Sequence, residues 1–359
     1  LNKEVGQIMK VPSLYVISPT EWSGKTSVIV SMALKASELG KRVGYFKPIG
    51  YGVMAGEPSD EDAKNVREIL NLKEELGDLC PIVLDRQRFL EKTFSRREEI
   101  RERIISCYKK VSDGKDLMLI DGPNSIFGGT SIKCAAPELA REFGSKIIII
   151  VRVRDDSFID ELLLTVKFCE DLGVPPAGVI LNRVPEEYPE LERITRSVLE
   201  SEGIELLGSI PNRDILGALR VREIQEFLGG EVIAGKEGMD NLVQNFLVGA
   251  MSMESAMRYF RKTTNKAVIV GGDRTDIISA ALETGTSAII VTGNLYPSVK
   301  ILPRADEMKT PIIVVPYDTY TTLNMIQGIV GRIKPNDTGR LNLMKKLFEE
   351  NVKWERVLK

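Results

Sequence analysis

Gly24-Lys25-Thr26-Ser27, preceded by Ser18-Pro19-Thr20-Glu21-Trp22-Ser23, is the part of this chain best suited to chemistry. A lysine and a hydroxyl at the point where a loop enters a helix can hold a polyphosphate. Backbone N–H groups and the positive end of the helix dipole face the anion. Lys25 would reach the β/γ-phosphates and the Thr26 hydroxyl would ligate Mg2+. Both flanks fit: an apolar run, Leu14–Ile17, reads as a strand, and a helical pattern, Val28–Leu39, stops at Gly40. One letter departs from G-x-x-x-x-G-K-[ST], because Pro19 stands at the first glycine. The competing reading is a capped strand-to-helix turn. Ser23, Gly24, Lys25, Thr26 and Ser27 are the candidate nucleotide-binding residues.

Other residues stand where such a site needs them. Lys47 ends a second apolar run before Pro48, which cannot donate to a strand ladder. At a strand end it either binds an anion or is a solvated charge. Asp60 and Asp62 precede or open a helix, where carboxylates cap and complement the dipole. They are also candidate Mg2+ ligands, since that ion takes a few carboxylates plus phosphate oxygens; a mixed role is expected, one capping and the other meeting the metal. Asp121 closes the run Leu117–Ile120 and is followed by Gly122. It suits a Mg2+ ligand or a water-orienting group, or it starts an Asx turn. Lys25, Lys47 and Asp121 are the candidate catalytic residues, and Thr26, Asp60, Asp62 and Asp121 the candidate metal ligands. Asn182, Arg183 and Pro211, which follow later strands, are further candidate nucleotide-binding residues; Asn offers a donor and an acceptor to an adenine edge, against ordinary turn chemistry.

Composition limits the alternatives. Histidine is absent, which removes His general bases, His triads and His metal ligands. The four cysteines have no C-x-x-C spacing and read as buried reduced thiols, which implies a cytoplasmic compartment. Net charge is −2, so no electrostatic case for nucleic acid arises. No apolar run approaches the roughly 20 residues needed to cross a bilayer. Nothing near the N-terminus resembles a secretory signal.

The elements that must position these residues alternate strand and helix. Apolar runs recur at Val43–Phe46, Leu117–Ile120, Ile147–Val151, Gly178–Leu181 and Leu206–Ile210. Helical patterns fall between most of them, including Asp62–Leu70, Glu98–Val111, Pro137–Phe143, Phe158–Leu172 and Leu191–Glu202. Near-continuous apolar strands are buried on both faces. The reading is an α/β protein with a doubly wound parallel sheet, its ligand site at the strand C-terminal ends. At 359 residues, more than one domain is expected. The pattern restarts after Pro211 in a second, smaller α/β domain, with strands Val268–Val270, Ala288–Val291 and Ile312–Val315. The expected boundaries are 1–213, 214–330, and a C-terminal helical segment 331–359 packed on the body.

In the second domain Gly271-Gly272 frees the backbone, Asp273 and Thr275 can cap the next helix, and Arg274 either clamps an anion or pairs with a neighbouring acid. Gly293, Asn294, Asp318, Thr319 and Thr321 fall at successive strand ends, which favours a small-molecule pocket there.

As a set, Pro19–Thr26, Lys47-Pro48, Asp121-Gly122, Val179-Ile180-Leu181-Asn182-Arg183 and Gly208-Ser209-Ile210-Pro211 resemble the dethiobiotin synthetase family of P-loop proteins and the related cobyrinic acid diamide synthase amidases. The middle-strand acid is commonly Glu in that family and is Asp121 here. The loop letters Pro19, Glu21 and Trp22 also depart, and the amidases' glutamine-hydrolysing domain has no counterpart. The second domain resembles the DRTGG domain, on Gly272-Asp273-Arg274-Thr275-Asp276, Val248–Met251, Ile290–Gly293 and Pro311–Pro316. The two together are similar to the N-terminal region of long bacterial phosphotransacetylases. The acetyl-transfer domain does not follow in this sequence, so acetyl transfer itself is not expected.

The resemblance implies a homodimer with Mg-ATP on Gly24, Lys25, Thr26 and Ser27, Asp121 and Asp60 or Asp62 near the metal, and Asn182 near the adenine. It implies that Lys47 helps hold a carbamate-bearing substrate, which ATP phosphorylates. Two functions follow as expectations. One is an ATP-dependent ligase acting on a small carboxylate or carbamate. The other is a regulatory protein that senses a nucleotide, with an anionic metabolite in the DRTGG pocket (Asp273, Arg274, Thr275, Gly293, Asp318) and little or no turnover.

Overall fold

The computed structural model describes residues 11–54, 57–84, 89–188 and 190–358. The first ten residues of the expected first domain lie outside them. The chain folds as two compact units. One comprises the described residues up to Asn212 together with those from Ile333 onward, and the other is Arg213–Arg332.

Six strands make the sheet of the first unit: β1 (Ser13–Ile17), β2 (Val43–Phe46), β3 (Leu117–Asp121), β4 (Lys146–Arg152), β5 (Gly178–Val184) and β6 (Leu206–Pro211). Their order is β6-β5-β4-β1-β3-β2, and every pairing is parallel. β1, β2 and β3 are buried along their whole length. That is why they read as unbroken apolar runs rather than alternating ones. The main crossing helices are α1 (Lys25–Glu38), α2 (Glu61–Ile69), α3 (Arg97–Ser112), α4 (Ala136–Phe143), α5 (Phe158–Asp171) and α6 (Leu191–Ser201). Aromatic packing joins α3, α4 and β2: Tyr108 stacks on Phe143 at 3.9 Å between centroids, and Phe46 meets Tyr108 edge-on at 5.5 Å.

The connection leaving β1 passes to one side of the sheet and that leaving β4 to the other. A crevice opens above the C-terminal ends of strands where connections diverge in this way. The Gly-Lys-Thr loop follows β1 at that position, and β4 delivers Arg152 there. Asp121 lies opposite Val16 in the β1–β3 register. Gly122 permits this approach, since a Cβ on it would sit 2.7 Å from the Val16 carbonyl oxygen.

The second unit is a five-stranded sheet: β7 (Glu231–Ala234), β8 (Asn245–Val248), β9 (Lys266–Gly271), β10 (Thr286–Thr292) and β11 (Ile312–Val314), in the order β7-β11-β10-β9-β8. Only the β7–β11 pairing in it is antiparallel. Helices α7 (Val221–Leu228), α8 (Met253–Phe260), α9 (Thr275–Leu282), α10 (Leu302–Glu307) and α11 (Thr319–Gln327) accompany it. Lys266 is fully buried, yet its ammonium donates to the carbonyls of Thr263, Thr284 and Gly285 at 3.1, 2.6 and 3.3 Å.

The C-terminal stretch forms α12 (Thr338–Asn351) and a short helix, Trp354–Leu358. It lies on α1 and the edge strand β6. Lys35 pairs with Glu349 at 2.9 Å and stands 4.6 Å above the Trp354 ring. Glu205 receives Lys353 and Arg356 at 3.0 and 2.6 Å, and Lys353 N–H donates to Leu207 O at 2.8 Å. Gly208 pairs with Val352 across an antiparallel bridge, and a Cβ there would fall on the Asn351 carbonyl. Backbone cannot yield as a side-chain tip can, so Gly208→Ala should cost on the order of 1–3 kcal/mol. That corresponds to roughly 2–4 °C of melting temperature per kcal/mol for a unit of this size. Amide hydrogen exchange should quicken along 338–358 before the central strands respond. Unchanged protection of that segment would show that the bridge does not hold it.

Candidate active site

The loop from Ser18 to Gly24 is shaped by local geometry. The Ser18 hydroxyl donates to Thr20 O at 2.8 Å. Two residues adopt left-handed backbone, Trp22 at φ 54° and Gly24 at φ 87°. Gly24 occupies the N-cap position of α1, with no side-chain cap and no acidic residue in the first turn. The orphan N–H groups and the positive dipole end there are accordingly uncompensated, the condition an oxyanion needs. Lys25 is buried and donates to Asn124 O at the long distance of 3.4 Å. Burial lowers its pKa, with Asp121 acting in the opposite direction.

Asp121 is 1% exposed. Its Oδ2 accepts from the Tyr45 hydroxyl at 3.1 Å and from the Thr26 hydroxyl at 3.3 Å. Among the described residues its Oδ1 has no hydrogen-bond partner, and neither does the Ser23 hydroxyl. Burial pushes the Asp121 carboxyl above its ordinary pKa, against the pull of Lys47 and Lys25. Lys47, 2% exposed, sits at the hub. Its ammonium lies 3.0 Å from Asp60 Oδ1, 3.5 Å from Asp62 Oδ2 and 3.7 Å from Asp121 Oδ2. Burial opposes its charge, but Asp60, Asp121 and Asp62 outweigh that and hold its pKa well above the usual lysine value.

Asp60 is the N-cap of α2: Oδ1 accepts from Ala63 N–H at 2.9 Å and Oδ2 from Tyr51 N–H at 3.0 Å. Both its oxygens are therefore committed to main chain, with Lys47 added on Oδ1. Among the described residues, no three His, Cys, Asp or Glu side chains are grouped to hold a metal. Magnesium does not require such a cage, because it is commonly held by one or two carboxylates and phosphate oxygens. The Thr26 hydroxyl with the unpartnered Asp121 Oδ1 fits that donor set.

Asn182, buried in β5, reaches the loop. Its amide nitrogen donates to Ser23 O at 2.7 Å and its Oδ1 accepts Arg183 N–H at 3.0 Å. It clamps the loop with one N–H and one lone pair, and the second of each is left to its amide group. Gly24 is bound to this arrangement, since a Cβ there would overlap the Asn182 amide nitrogen. Arg183 and Pro211 fall at the ends of β5 and β6, half-buried. Tyr45, the hydroxyl donor to Asp121, was not visible as a site residue; it reads in sequence as one more apolar strand position.

In the second unit the named residues also fall at strand ends, mostly in local roles. Arg274 makes a two-pronged pair with Asp276, both contacts 3.0 Å, and donates to Met251 O at 2.8 Å. Of its two expected roles, pairing with a neighbouring acid is the one present. The caps expected from Asp273 and Thr275 are replaced: the N-cap position of α9 is Arg274, without a side-chain bond, and Thr275 is already helical. Asp318 caps α11, accepting from Thr321 N–H at 3.0 Å and its hydroxyl at 2.6 Å. Gly293 turns at φ 77° and its N–H donates to Tyr317 O at 2.7 Å.

A parallel doubly wound sheet with a Gly-Lys-Thr loop after its first strand and an aspartate ending the neighbouring strand defines a P-loop protein of the NTPase class. The family described as "AAA domain" matches residues 12–220 and that described as "DRTGG domain" matches 223–329. This chain belongs to the AAA domain family, with a DRTGG domain following. It is 22% identical over 357 residues to a phosphate acetyltransferase of Nitratidesulfovibrio vulgaris, covering 95% of this chain and 50% of that one. The chain thus spans about half the length of that relative. It is 26% identical over 230 residues to the ATP-dependent dethiobiotin synthetase BioD of Clostridium perfringens, covering 60% and 98%. Among solved structures, the CBS and DRTGG domains of the regulatory region of Clostridium perfringens pyrophosphatase, complexed with diadenosine tetraphosphate, align at 21% identity and TM-score 0.29. That alignment covers 40% of this chain and 74% of that one. No helix among the described residues is long and apolar enough to cross a membrane.

Asp121 yields a pH prediction. Its folded pKa is raised, so between the ordinary carboxylate value of 3.8 and the folded one the native state binds the extra proton. Its contribution to stability must then fall as pH rises through that window. Comparing melting temperatures of wild type and Asp121→Asn without ligand, the variant should gain on wild type as pH rises from 3.8. A difference that is flat in pH, or of opposite slope, would contradict this.

Proposed function

We propose that the first unit binds Mg-ATP and uses it to phosphorylate a small carboxylate or carbamate, as an ATP-dependent ligase. The observation that carries this reading is the convergence of Lys25, Thr26, Asp121 and Lys47 at one point. In this reading Lys25 and the first-turn N–H groups of α1 hold the triphosphate. Thr26 and Asp121 would hold Mg2+, which supplies neutralisation of the β/γ-phosphate charge. Lys47 meets the second reactant by exchanging a carboxylate partner for the reactant's own. A carboxylate or carbamate oxygen then forms a bond to the γ-phosphorus as the bond to the ADP oxygen breaks. Ground state and products balance in charge without any histidine, so the chain's lack of that residue is no obstacle. The relation to a synthetase whose full length is covered supports the same chemistry.

A second reading has its own support. Lys47 is already satisfied by carboxylates and 2% exposed, an arrangement suited to a site that binds nucleotide without turning over. The protein would then be a nucleotide sensor, with an anionic metabolite in the DRTGG unit.

Calorimetric titration with Mg-ATP on wild type and Lys25→Ala tests the binding step. Lys25→Ala should weaken binding at least tenfold, about 1.4 kcal/mol. Equal affinity in both, or no binding by wild type, would remove the nucleotide from this site. Given binding, ADP release with one of a panel of small carboxylic acids and carbamate-forming amines supports the ligase, and binding with no release supports the sensor.

A further inference from the structure

Arg152 and Arg183 are half-buried cations outside the cluster of Lys25, Lys47 and Asp121. Arg152 ends β4 and lies opposite Asn182 in the β4–β5 register. Paired residues of parallel strands share a face of the sheet, so Arg152 lies on the same face as the residue that clamps the loop through Ser23 O. Arg183, next along β5, would point to the other face in a regular strand. Its left-handed backbone, φ 55°, breaks that alternation. A non-glycine residue held there is uncommon and carries strain, which the surrounding structure retains chiefly at functional positions.

Among the described residues neither guanidinium has a carboxylate or carbonyl partner. Their charged surroundings are positive. Burial, and after it the neighbouring charge of Arg152, lower the pKa of Arg183 to about 10. Arg152 is lowered by burial and then by Arg154. Arg154 itself is engaged by Glu161 at 3.2 Å. Other cations of this chain at comparable depth are satisfied. Arg101 meets Glu142 at 2.8 Å, Arg196 meets Glu192 at 2.7 Å, and fully buried Lys266 has its three carbonyls. A buried charge left unpaired, beside another of the same sign, is destabilising. Two such cations at a sheet's ligand-binding edge are arranged for an anion that arrives from outside.

We propose that Arg152 and Arg183 form a second oxyanion subsite, beside the Gly-Lys-Thr loop and separate from it, for a phosphate or carboxylate group of a small-molecule ligand. Paired guanidinium forks match both groups, which accept two parallel N–H bonds each. The subsite stands whether or not the loop takes nucleotide. It lies over the C-terminal ends of β4 and β5, beside the loop that follows β1 and that Asn182 holds.

The test titrates inorganic phosphate, and separately malonate, into the full chain in four forms: wild type, Lys25→Ala, Arg152→Gln and Arg183→Gln. Lys25→Ala separates this subsite from phosphate held by the loop. Binding of at least one probe should persist in Lys25→Ala and weaken at least tenfold in Arg152→Gln and in Arg183→Gln. Phosphate binding tighter than malonate assigns a phosphoryl ligand, and the reverse assigns a carboxylate. Without ligand, both Gln variants should melt at or above the wild-type temperature, since each removes an uncompensated charge. Should Arg183→Gln fail to fold, Arg183→Lys keeps the charge without the fork and should still weaken binding. Loss of both probes on Lys25→Ala alone, unchanged binding in both arginine variants, or a clear drop in their ligand-free melting temperature would overturn the subsite. Weakened ATP binding with unchanged phosphate and malonate binding would do so too, by assigning the arginines to the nucleoside.

Discussion

Everything in the first unit's site is arranged around one buried ammonium, that of Lys47. It is reached from β2, and its backbone N–H is held by Leu79 O at 2.8 Å. Asp60 comes from the start of α2, Asp121 from the end of β3, and both touch the same nitrogen. Removing one member of a buried ion pair leaves its partner uncompensated, at a cost on the order of 3–5 kcal/mol. The lysine therefore fixes the relation of three chain segments as well as offering a charge. The same constraint reaches Gly50, whose Cβ would lie 2.7 Å from Asp60 Oδ2 and 2.6 Å from Cys80 Sγ. With Lys25 included, two cations face Asp60, Asp62 and Asp121. Burial is what raises the Asp121 pKa, against the pull of both lysines.

The loop solves the loss of its first glycine in a different place. Pro19 cannot supply left-handed backbone, because its ring fixes φ near −65°. The curvature is made further on, at Trp22 and Gly24, both at positive φ. Such a conformation in tryptophan costs energy, and the Asn182 bond to Ser23 O, sitting between the two, is placed to hold it. Gly24 is then fixed twice, by its own φ and by the amide of Asn182 that leaves no room for a Cβ. A strand far away in sequence thus determines whether the phosphate-binding turn keeps its shape.

This division explains what could be read from sequence. Strand runs, the Gly-Lys-Thr turn and the strand-end positions of Lys47 and Asp121 are local signals, set by period and by flanking Pro or Gly. The meeting of Lys47 with Asp60 and Asp121 follows once β3 is inserted between β1 and β2. What local signals cannot carry is register between strands that are not consecutive. Asn182 reads as a turn residue until β5 is placed opposite Arg152 and beside the loop. Arg152 itself ends a run of isoleucines, one position past where an apolar pattern stops being informative. Tyr45 counts as apolar in a pattern, and only its hydroxyl contact with Asp121 makes it polar. The stretch 240–250 has its strand confined to Asn245–Val248. It becomes the edge strand β8 because β9 offers it a free side.

In the second unit the strand-end residues are largely occupied with one another, but occupation is not equal to sealing. The side chains of Arg274 and Asp276 are 38% and 44% exposed. A pair that open to water is weak and competed for by solvent, while the Met251 carbonyl contact keeps the arginine in place. The pair at Lys47 is closed to water, so a carboxylate there gives way only to a group of like charge. The two units differ in this respect: one holds its charges closed until something equally charged replaces them, while the other keeps its arginine on a partner that water already competes for.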